Sequence, residues 1–518
     1  MPRYVMASRR AGKFTRAAKE ASIRSFESFS SGVIRPSAGI SILKEAEPRR
    51  EDARRITIFD AATENIAEIA ARLPDDVILE PEYFYQPTVV QPLGLNRRRD
   101  IAAAESVSVF GADAAMLFRV RGGGEPLEHA EVILSLRNGP LTDRVSGVTD
   151  ANGEVTLRFS SLFTPTFALA IPYHGFWTAA VFAPSGTTAI TCSKLPSDGP
   201  QDWRHKAVGA PPVFDETLGS GIHVGVIDTG CGPHPNLAHV EDAGAVIDGL
   251  FSTAPGAGAD IDSHGTHVCG IVGAQQGEKG AFAGIAPGCR LTSIRVFPDP
   301  SGASNADIAG AIDVLSMEHD VDIINMSLGG PNSSLIIGDS IIDAVERGTL
   351  CIAAAGNSGG PVEFPAQHVQ CLAISAIGLL GEAPAGTLSS LRVPDAPDEI
   401  GLENLFIANF SCRGPEIELA GPGVGVISTV PERHGIEQPY AGMDGTSMAS
   451  PAVAGAVAAI LSRNPTYAGL QRNQARTAFA HTLARQFARD IGLRAEFQGR
   501  GVPHMGGINP VGDVSIVS

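Results

Sequence analysis

Residues 212–518 alternate continuous apolar runs with helix-like stretches, and this alternation most constrains what the chain can fold into. The apolar runs lie at 224–227, 291–297, 322–326 and 350–355. Such runs are typical of strands that are buried on both faces of a parallel sheet. Helix-like stretches lie between them, at about 304–318 and 338–347. The pattern predicts an α/β fold with a doubly wound, mostly parallel sheet.

Three short motifs lie at the ends of these predicted elements. An Asp-Thr-Gly motif places Asp228 after a buried run, while His264 and Ser447 each precede a Gly/Ala-rich helical run. A serine hydroxyl is a weak nucleophile until a base removes its proton, and an imidazole can act as that base. A carboxylate would hold the imidazole tautomer, and free N–H groups at a helix start can share an oxyanion. The three motifs together indicate catalysis by a serine nucleophile.

The chain order Asp, His, Ser, with these flanking residues, resembles the subtilisin family (subtilases, peptidase S8). The similarity spans about 212–515 and is closest at 410–416, 420–424, 428–429 and 445–455. The resemblance implies a subtilisin-like catalytic domain at 212–515 with Asp228, His264 and Ser447 as its triad. It also implies that the chain is a serine endopeptidase, which hydrolyses extended protein segments through an acyl-enzyme. The oxyanion hole would then consist of the Asn357 amide, from an Ala-Ala-Gly-Asn segment, and the start of the Ser447 helix.

The same resemblance implies two walls of a substrate cleft. By the resemblance, the substrate backbone would pair with Ser327, Leu328, Gly329 and Gly330. The far wall of the pocket before the scissile bond would consist of Ala354, Ala355 and Gly356. Glu363 departs from the family, which usually has a small residue there. A carboxylate in the pocket would favour Lys or Arg before the cut. The alternative is that Glu363 faces solvent.

The resemblance implies no required cofactor. Asn236 stands where the family often has an aspartate that binds structural calcium, so calcium is doubtful there, while calcium elsewhere stays open. His267 follows His264 by three positions, and the family uses that position structurally. The chain has no Cys-x-x-Cys pair, which disfavours zinc. No metal-binding residue is therefore predicted.

Residues 1–95 have the β-α-β-β-α-β order of a ferredoxin-like α+β unit. Together with Tyr4-Val5 and the run 78–83, this order resembles the inhibitory propeptide of subtilases (I9 type). In that family the unit assists folding, and its last strand occupies the cleft. Residues 1–100 hold 17 Lys/Arg and 14 Asp/Glu, a net of +3 in a chain of net charge −17. This charge contrast fits intramolecular docking, although separate solvated surfaces would also produce it.

Residues 104–185 contain strand-like runs separated by Gly, Asn and Asp turns, which predicts a small β-sandwich. The segment 146–155 resembles carboxypeptidase-regulatory or transthyretin-like modules. Residues 186–211 are predicted to be a linker. Because the sandwich separates the propeptide from the catalytic domain, three maturation routes are open. The cut could fall at Arg97–Arg99 or in the linker, or the propeptide could remain attached.

Charge and hydropathy disfavour other function classes. A net charge of −17 argues against nucleic acid as a partner, because phosphate binding needs a basic surface. No stretch approaches the ~20 apolar residues of a membrane span, and the N-terminus has no signal-peptide pattern. The seven cysteines are expected to be reduced thiols. We therefore expect a cytoplasmic protein, or one exported by an unconventional route. Its partners would be a protein or peptide substrate and its own propeptide.

One alternative function fits the same motifs. The chain would be a latched or narrow-specificity processing protease that acts mainly as a binding or regulatory protein.

Overall fold

The computed structural model describes residues 1–46, 50–89, 110–197, 199–275, 281–298, 302–432 and 439–507. The Arg97–Arg99 candidate and most of the predicted strand at 107–110 lie outside these residues. Within the described ranges, no helix combines the length and apolarity that crossing a bilayer requires.

The N-terminal unit is a four-stranded antiparallel sheet with two helices. Its elements are β1 (Arg3–Ser8), α1 (Arg16–Phe29), β2 (Ile40–Glu45), β3 (Ile56–Ala61), α2 (Thr63–Ala70) and β4 (Val77–Pro81), followed by β5 (Phe84–Pro87). The spatial order is β2-β3-β1-β4. Side chains alternate along β1, so that Tyr4 and Met6 pack with the unit's own helices. Val5 and Ala7 point the other way and join a core cluster of the C-terminal unit, residues 212–507.

The middle unit consists of two packed sheets. Its strands are β6 (Ala114–Gly122), β7 (Glu125–Pro126), β8 (Glu131–Asn138), β9 (Leu141–Val148), β10 (Glu154–Phe159), β11 (Thr164–Ile171), β12 (Ala179–Phe182) and β13 (Thr187–Cys192). One sheet has the order β10-β6-β13 with β7 beside β6, and the other has the order β12-β11-β8-β9. Phe118, Val132 and Leu134 are among the residues that fill the space between the sheets.

The prediction of a linker at 186–211 is wrong for two parts of that segment. Thr187–Cys192 is a strand that pairs in parallel with β6, and its alternate residues Thr188, Ile190 and Cys192 are buried. Trp203–Ala207 is helix α3, and Trp203 joins the core of the C-terminal unit. The Gly and Pro residues that suggested a linker flank these short elements.

The C-terminal unit is built on a mixed, mainly parallel sheet and also contains smaller strand pairs beside it. Its strands are β14 (His223–Asp228), β15 (Glu241–Ile247), β16 (Leu250–Ser252), β17 (Arg290–Arg295), β18 (Ala303–Ser304), β19 (Ile323–Met326), β20 (Leu328–Gly329), β21 (Leu350–Ala354), β22 (Cys371–Leu379), β23 (Leu405–Ile407), β24 (Ile417–Pro422), β25 (Val426–Thr429), β26 (Tyr440–Met443), β27 (Ala488–Arg489) and β28 (Val502–Pro503). The main sheet has the order β16-β15-β17-β14-β19-β21-β22-β23, with β24 also paired to β22.

Helices cover both faces of this sheet. They are α4 (His264–Gly273), α5 (Asn305–Met317), α6 (Leu335–Glu346), α7 (Thr446–Ser462), α8 (Pro465–Gly469), α9 (Gln474–Gln486) and α10 (Ala495–Gln498). Val224 and Val226 of β14 pack in the cluster that contains α4 and α7, while Ile227 packs in the cluster that contains α5 and α6. Burial on both faces explains why β14 has a continuous apolar sequence.

Candidate active site

Asp228 and His264 meet at the carboxyl edge of the sheet. Asp228 ends β14, and His264 begins α4. The Nδ1 atom of His264 lies 2.6 Å from Oδ1 of Asp228, and both residues are buried. The approach is close because Gly265 has no side chain, since a Cβ there would overlap the carbonyl oxygen of Gly230. The two predicted residues therefore form a buried carboxylate–imidazole pair.

Asp260 organises the turn that carries this pair. Its carboxylate accepts hydrogen bonds from the Thr229 hydroxyl (2.8 Å) and from the backbone N–H of Ser263 and Thr266 (both 2.9 Å). The Thr229 hydroxyl in turn accepts the N–H of Gly265 at 2.8 Å. The sequence patterns did not single out Asp260. Its role depends on the loop conformation, which brings its carboxylate to Thr229 and Thr266.

The surroundings of His264 change its basicity. Burial disfavours the imidazolium, but the Asp228 carboxylate and its hydrogen bond outweigh burial and raise the pKa of His264 above its ordinary value of 6.5. A raised pKa makes this imidazole a stronger proton acceptor than a free histidine.

Ser447 and Asn357 point N–H groups at one carbonyl oxygen. The backbone N–H of Ser447, in the first turn of α7, donates to the oxygen of Thr88 at 3.1 Å, and Nδ2 of Asn357 donates to the same oxygen. Thr446 donates its N–H and its hydroxyl to Oδ1 of Asn357, both at 2.9 Å. These two bonds fix the amide orientation, so the Asn357 NH₂ group faces the cleft.

The Ser447 hydroxyl is engaged away from His264 in this structure. It donates to the Ser327 carbonyl at 2.9 Å and lies 2.8 Å from the Thr88 hydroxyl. The Nε2 atom of His264 is buried and has no hydrogen-bond partner in the part of the chain that the structure describes. The hydroxyl must rotate before it can give its proton to His264.

The chain's own segment β5 lies in the cleft as a substrate strand would. It pairs antiparallel with β20, where Leu328 faces Pro87 and Gly329 faces Gln86, and on its other side with β18. The Thr88 N–H donates to the Ser327 carbonyl at 3.2 Å.

Gly330 is the last residue of the predicted substrate-pairing segment. Its backbone pairs with Phe364 and not with β5. Gly330 still borders the segment, because a Cβ there would lie 2.9 Å from the Tyr85 ring. The N-terminal resemblance extends only over the run 78–83, so the sequence patterns did not single out Thr88.

Glu363 lies between the two predicted pocket walls. A Cβ on Gly329 would lie 2.9 Å from Oε2 of Glu363, and a Cβ on Gly356 would lie 2.6 Å from its carboxyl carbon. The Cγ2 atom of Thr88 is 3.1 Å from the same Gly329 position. Burial raises the pKa of Glu363, although a hydrogen bond from Ser358 opposes the rise. The half-buried Glu363 carboxylate thus lies beside Gly329 and Gly356 of the two predicted walls.

The other pocket residues support this position. Ala354 ends β21, and Ala355 accepts the backbone N–H of Glu363 at 2.8 Å; both alanines are buried.

The candidate metal positions have other surroundings. His267 is buried, with Nε2 3.0 Å from the carbonyl of Ala441, and burial lowers its pKa to about 3. Asn236 is buried in the short turn that follows His234. Within the described ranges no three His, Cys, Asp or Glu side chains are grouped as metal ligands would be. All seven cysteines are free thiols.

A buried carboxylate–imidazole pair, a serine at a helix N-terminus and an amide that faces the same point are the groups that a serine hydrolase requires. The fold and the site therefore define the class of α/β serine hydrolases. The profile of the subtilase family (peptidase S8) matches residues 219–502. The chain belongs to the subtilase family, whose members are serine endopeptidases.

Individual relatives agree with this assignment. The chain is 32% identical over 271 residues to subtilisin Savinase of Lederbergia lenta, covering 52% of this chain and 87% of that protein. It is also 32% identical to an alkaline protease of Alkalihalobacillus alcalophilus, covering 52% of this chain and 62% of the relative. Identity to the major intracellular serine protease of Bacillus subtilis (strain 168) is 30%, covering 54% of this chain and 84% of that protein.

Proposed function

We propose that the chain is an endopeptidase in which Ser447 is the nucleophile, His264 the general base and Asp228 the residue that orients it. The observation that carries the proposal is the Thr88 carbonyl, which accepts hydrogen bonds from the Ser447 N–H and the Asn357 amide. A substrate carbonyl held in this way is polarised by the groups that would stabilise its oxyanion.

The chemistry follows from these positions. Ser447 Oγ attacks the carbonyl carbon while its proton passes to Nε2 of His264, and the new C–O bond places negative charge on the carbonyl oxygen. The charge is held by the Asn357 amide and the Ser447 N–H. When the C–N bond breaks, His264 gives its proton to the departing amine. Water then attacks the acyl-enzyme by the same proton transfers, which releases the acid and restores Ser447.

We propose that the chain cuts itself between Thr88 and Val89. Thr88 supplies the carbonyl at the proposed oxyanion hole, and residues 84–87 pair with the cleft edge as a substrate strand pairs. This bond becomes the first candidate for the maturation cut, ahead of the three maturation routes that the sequence left open. After cleavage, residues 1–88 would act as the inhibitory propeptide until they dissociate.

Glu363 supports a preference for Lys or Arg before the scissile bond. Its carboxylate faces the side chain of the residue at the Thr88 position, and a cation there would offset the cost of burying the carboxylate. Threonine cannot make that ion pair. The chain's own segment is thus a weaker substrate than an external peptide with Lys, which suits an inhibitor.

The latched alternative has one observation in its favour. In this structure the Ser447 hydroxyl donates to Ser327 rather than to His264, and β5 fills the cleft. A chain that never released residues 1–88 would bind through this site without turnover.

Mass measurement of the purified full-length chain tests the proposal. We expect two fragments, 1–88 and 89–518, from the wild type and a single intact chain from Ser447→Ala. A fluorophosphonate should label the wild type and fail to label Ser447→Ala. Ser462→Ala, at the far end of the same helix, is the matched control and should process normally. Processing that persists in Ser447→Ala would exclude the assignment, and an intact, unlabelled wild type would favour the latched alternative.

A further inference from the structure

A cleft of about 1020 Å³ separates the β-sandwich from the catalytic domain and reaches the active site. Strands β8, β9, β11 and β12 line one side, with Arg137, Asp143 and Arg144 among their side chains. The catalytic domain lines the other side, with Arg392 and the amide-bearing Asn357. Asn357, which donates a hydrogen bond to the Thr88 carbonyl, therefore borders this cleft.

The sandwich is docked firmly enough to act as a wall. Trp177 is buried against the backbone of Gly442, and belongs to a cluster with Phe282 and Tyr440 of the catalytic domain. Three backbone hydrogen bonds of 2.9 Å join the two domains: Gly175 N–H to Tyr440 O, Ala180 N–H to Gly386 O, and Leu388 N–H to Thr178 O. Apolar burial together with paired backbone groups gives a fixed interface.

The cleft lies on the carboxyl side of the scissile bond. Residues before that carbonyl occupy the strand between β18 and β20, and none of the cleft's lining residues belongs to either strand. Asn357 is common to both regions, because it lines the cleft and donates to the Thr88 carbonyl. The cleft is therefore placed to receive the residues that follow the bond to be cut.

Arg144 carries a positive charge in this cleft, and its side chain is half-buried there. Its Nε is buried without a hydrogen-bond partner, and its guanidinium makes no ion pair within the described ranges. Burial lowers the pKa of Arg144. Asp143, on the same strand, accepts the backbone N–H of Arg144 at 2.9 Å. Arg392 differs, because it is paired with Asp444 at 3.1 Å.

We propose that Arg144 is a specificity residue that binds a substrate carboxylate on the carboxyl side of the scissile bond. A guanidinium takes a carboxylate in two parallel hydrogen bonds, and a partly buried arginine without an anion gains most from such a ligand. The middle domain thereby selects substrates with Asp, Glu or a chain terminus shortly after the cut. This proposal rests on the proposed endopeptidase function.

Peptide hydrolysis by the self-processed full-length protein tests it. The substrates are quenched peptides that begin Phe-Tyr-Gln-Pro-Lys and continue with Val, followed by Glu or Gln at the second, third or fourth position after the cut. All carry a C-terminal amide, and a parallel Gln set carries a free C-terminal acid. At one position we expect kcat/KM for Glu to exceed that for Gln by about tenfold, as one charged hydrogen-bond pair would give. A response to the free acid alone would identify the chain terminus as the carboxylate bound.

Three variants decide whether Arg144 is responsible. Arg144→Gln should abolish the Glu preference, and Arg144→Glu should reverse it toward Lys at the same position. Arg158→Gln, an exposed arginine of the sandwich outside the cleft lining, is the matched control and should keep it. A chromogenic amide with no residue after the cut should be hydrolysed equally by all of them, which also verifies folding.

The outcomes separate this inference from the proposed function. If wild-type protein hydrolyses the chromogenic amide but shows no carboxylate preference, or if Arg144→Gln retains the preference, the inference is wrong while the peptidase assignment stands. If no substrate is hydrolysed and fluorophosphonate does not label Ser447, both fail together.

Discussion

The two units that precede the catalytic domain both contact its cleft, but they do so by different physical means. The N-terminal unit uses buried ion pairs. Arg54 binds Asp313 (2.9 Å) and Asp339 (2.5 Å), and Arg10 binds Asp343 at 3.1 Å, with all five side chains buried. The β-sandwich instead uses the apolar Trp177 anchor and backbone hydrogen bonds, and within the described residues Nε of its Arg144 has no hydrogen-bond partner.

Because the two interfaces are held by different interactions, we expect them to persist for different times after cleavage. A buried ion pair repays its desolvation only while both partners stay in place, and each ion regains its hydration when the partners separate. Apolar surface has no such compensation on exposure, so an apolar interface persists. We therefore expect the N-terminal unit to leave after the Thr88–Val89 bond is cut, and the sandwich to remain as part of the enzyme.

Arg54→Gln should have the largest effect on the N-terminal interface. The variant leaves Asp313 and Asp339 buried without their guanidinium partner, which should weaken docking by about 3–5 kcal/mol. Active enzyme should therefore appear much faster than from the wild type in a continuous assay with an external peptide. Arg55→Gln, whose partner Glu27 lies within the same unit at 3.3 Å, is the control. Equal lag times for the two variants would show that the ion pairs do not hold the latch.

Trp177→Ala should loosen the sandwich without releasing the N-terminal unit. Loss of a buried aromatic anchor at an interface costs about 2–4 kcal/mol. Thermal unfolding of the processed enzyme should shift to lower temperature, and the discrimination at Arg144 should decline. Leu162→Ala, an exposed position of the same domain, should change neither property. An unchanged unfolding temperature in the tryptophan variant would contradict permanent docking through this residue.

Glu363→Gln should remove the proposed Lys/Arg preference before the cut, by about tenfold in kcat/KM. Because burial raises the pKa of Glu363, its carboxylate becomes neutral at a higher pH than an exposed glutamate does. The Lys/Arg preference should therefore be present at neutral pH and decline as the pH falls through this raised pKa. Glu403→Gln, which affects a surface pair with Arg489, is the control. A Lys/Arg preference that survives Glu363→Gln would assign the selectivity elsewhere.

The sequence allowed the carboxylate, imidazole and hydroxyl to be placed because each lies in a short motif at the end of a regular element. Asp228 follows a run whose burial on both faces is visible as continuous hydrophobicity, and Ser447 opens a long Ala-rich helix. The Asp–His contact joins residues 36 positions apart, and the resemblance of the motifs and their chain order to subtilases implied it.

The parts that escaped prediction depend on contacts between distant segments. The Thr88 and Ser447 hydroxyls are 359 positions apart, and no local pattern marks residue 88. The predicted linker includes strand β13 because six residues flanked by Gly and Pro carry little periodic signal. Asp260 and Arg144 have ordinary sequence surroundings. The hydrogen bonds of Asp260 form only in the folded loop, and Arg144 lines a cleft only where the sandwich faces the catalytic domain.

Mild acid should have the smallest effect on the N-terminal interface. Burial alone would raise the pKa of Asp343, but Arg10, Arg347 and Lys19 hold it well below its ordinary value. The stability that this carboxylate contributes is therefore present above the ordinary aspartate pKa of ~3.9 and is lost only as the pH falls through its lowered pKa. Burial raises the pKa of Glu346, so that protonation there favours the docked form. Between pH 7 and pH 5 we thus expect the lag before peptidase activity to change less than threefold, once multiplied by the lag-free rate at each pH. A lag that collapses at pH 5 would mean that a group other than these carboxylates controls release.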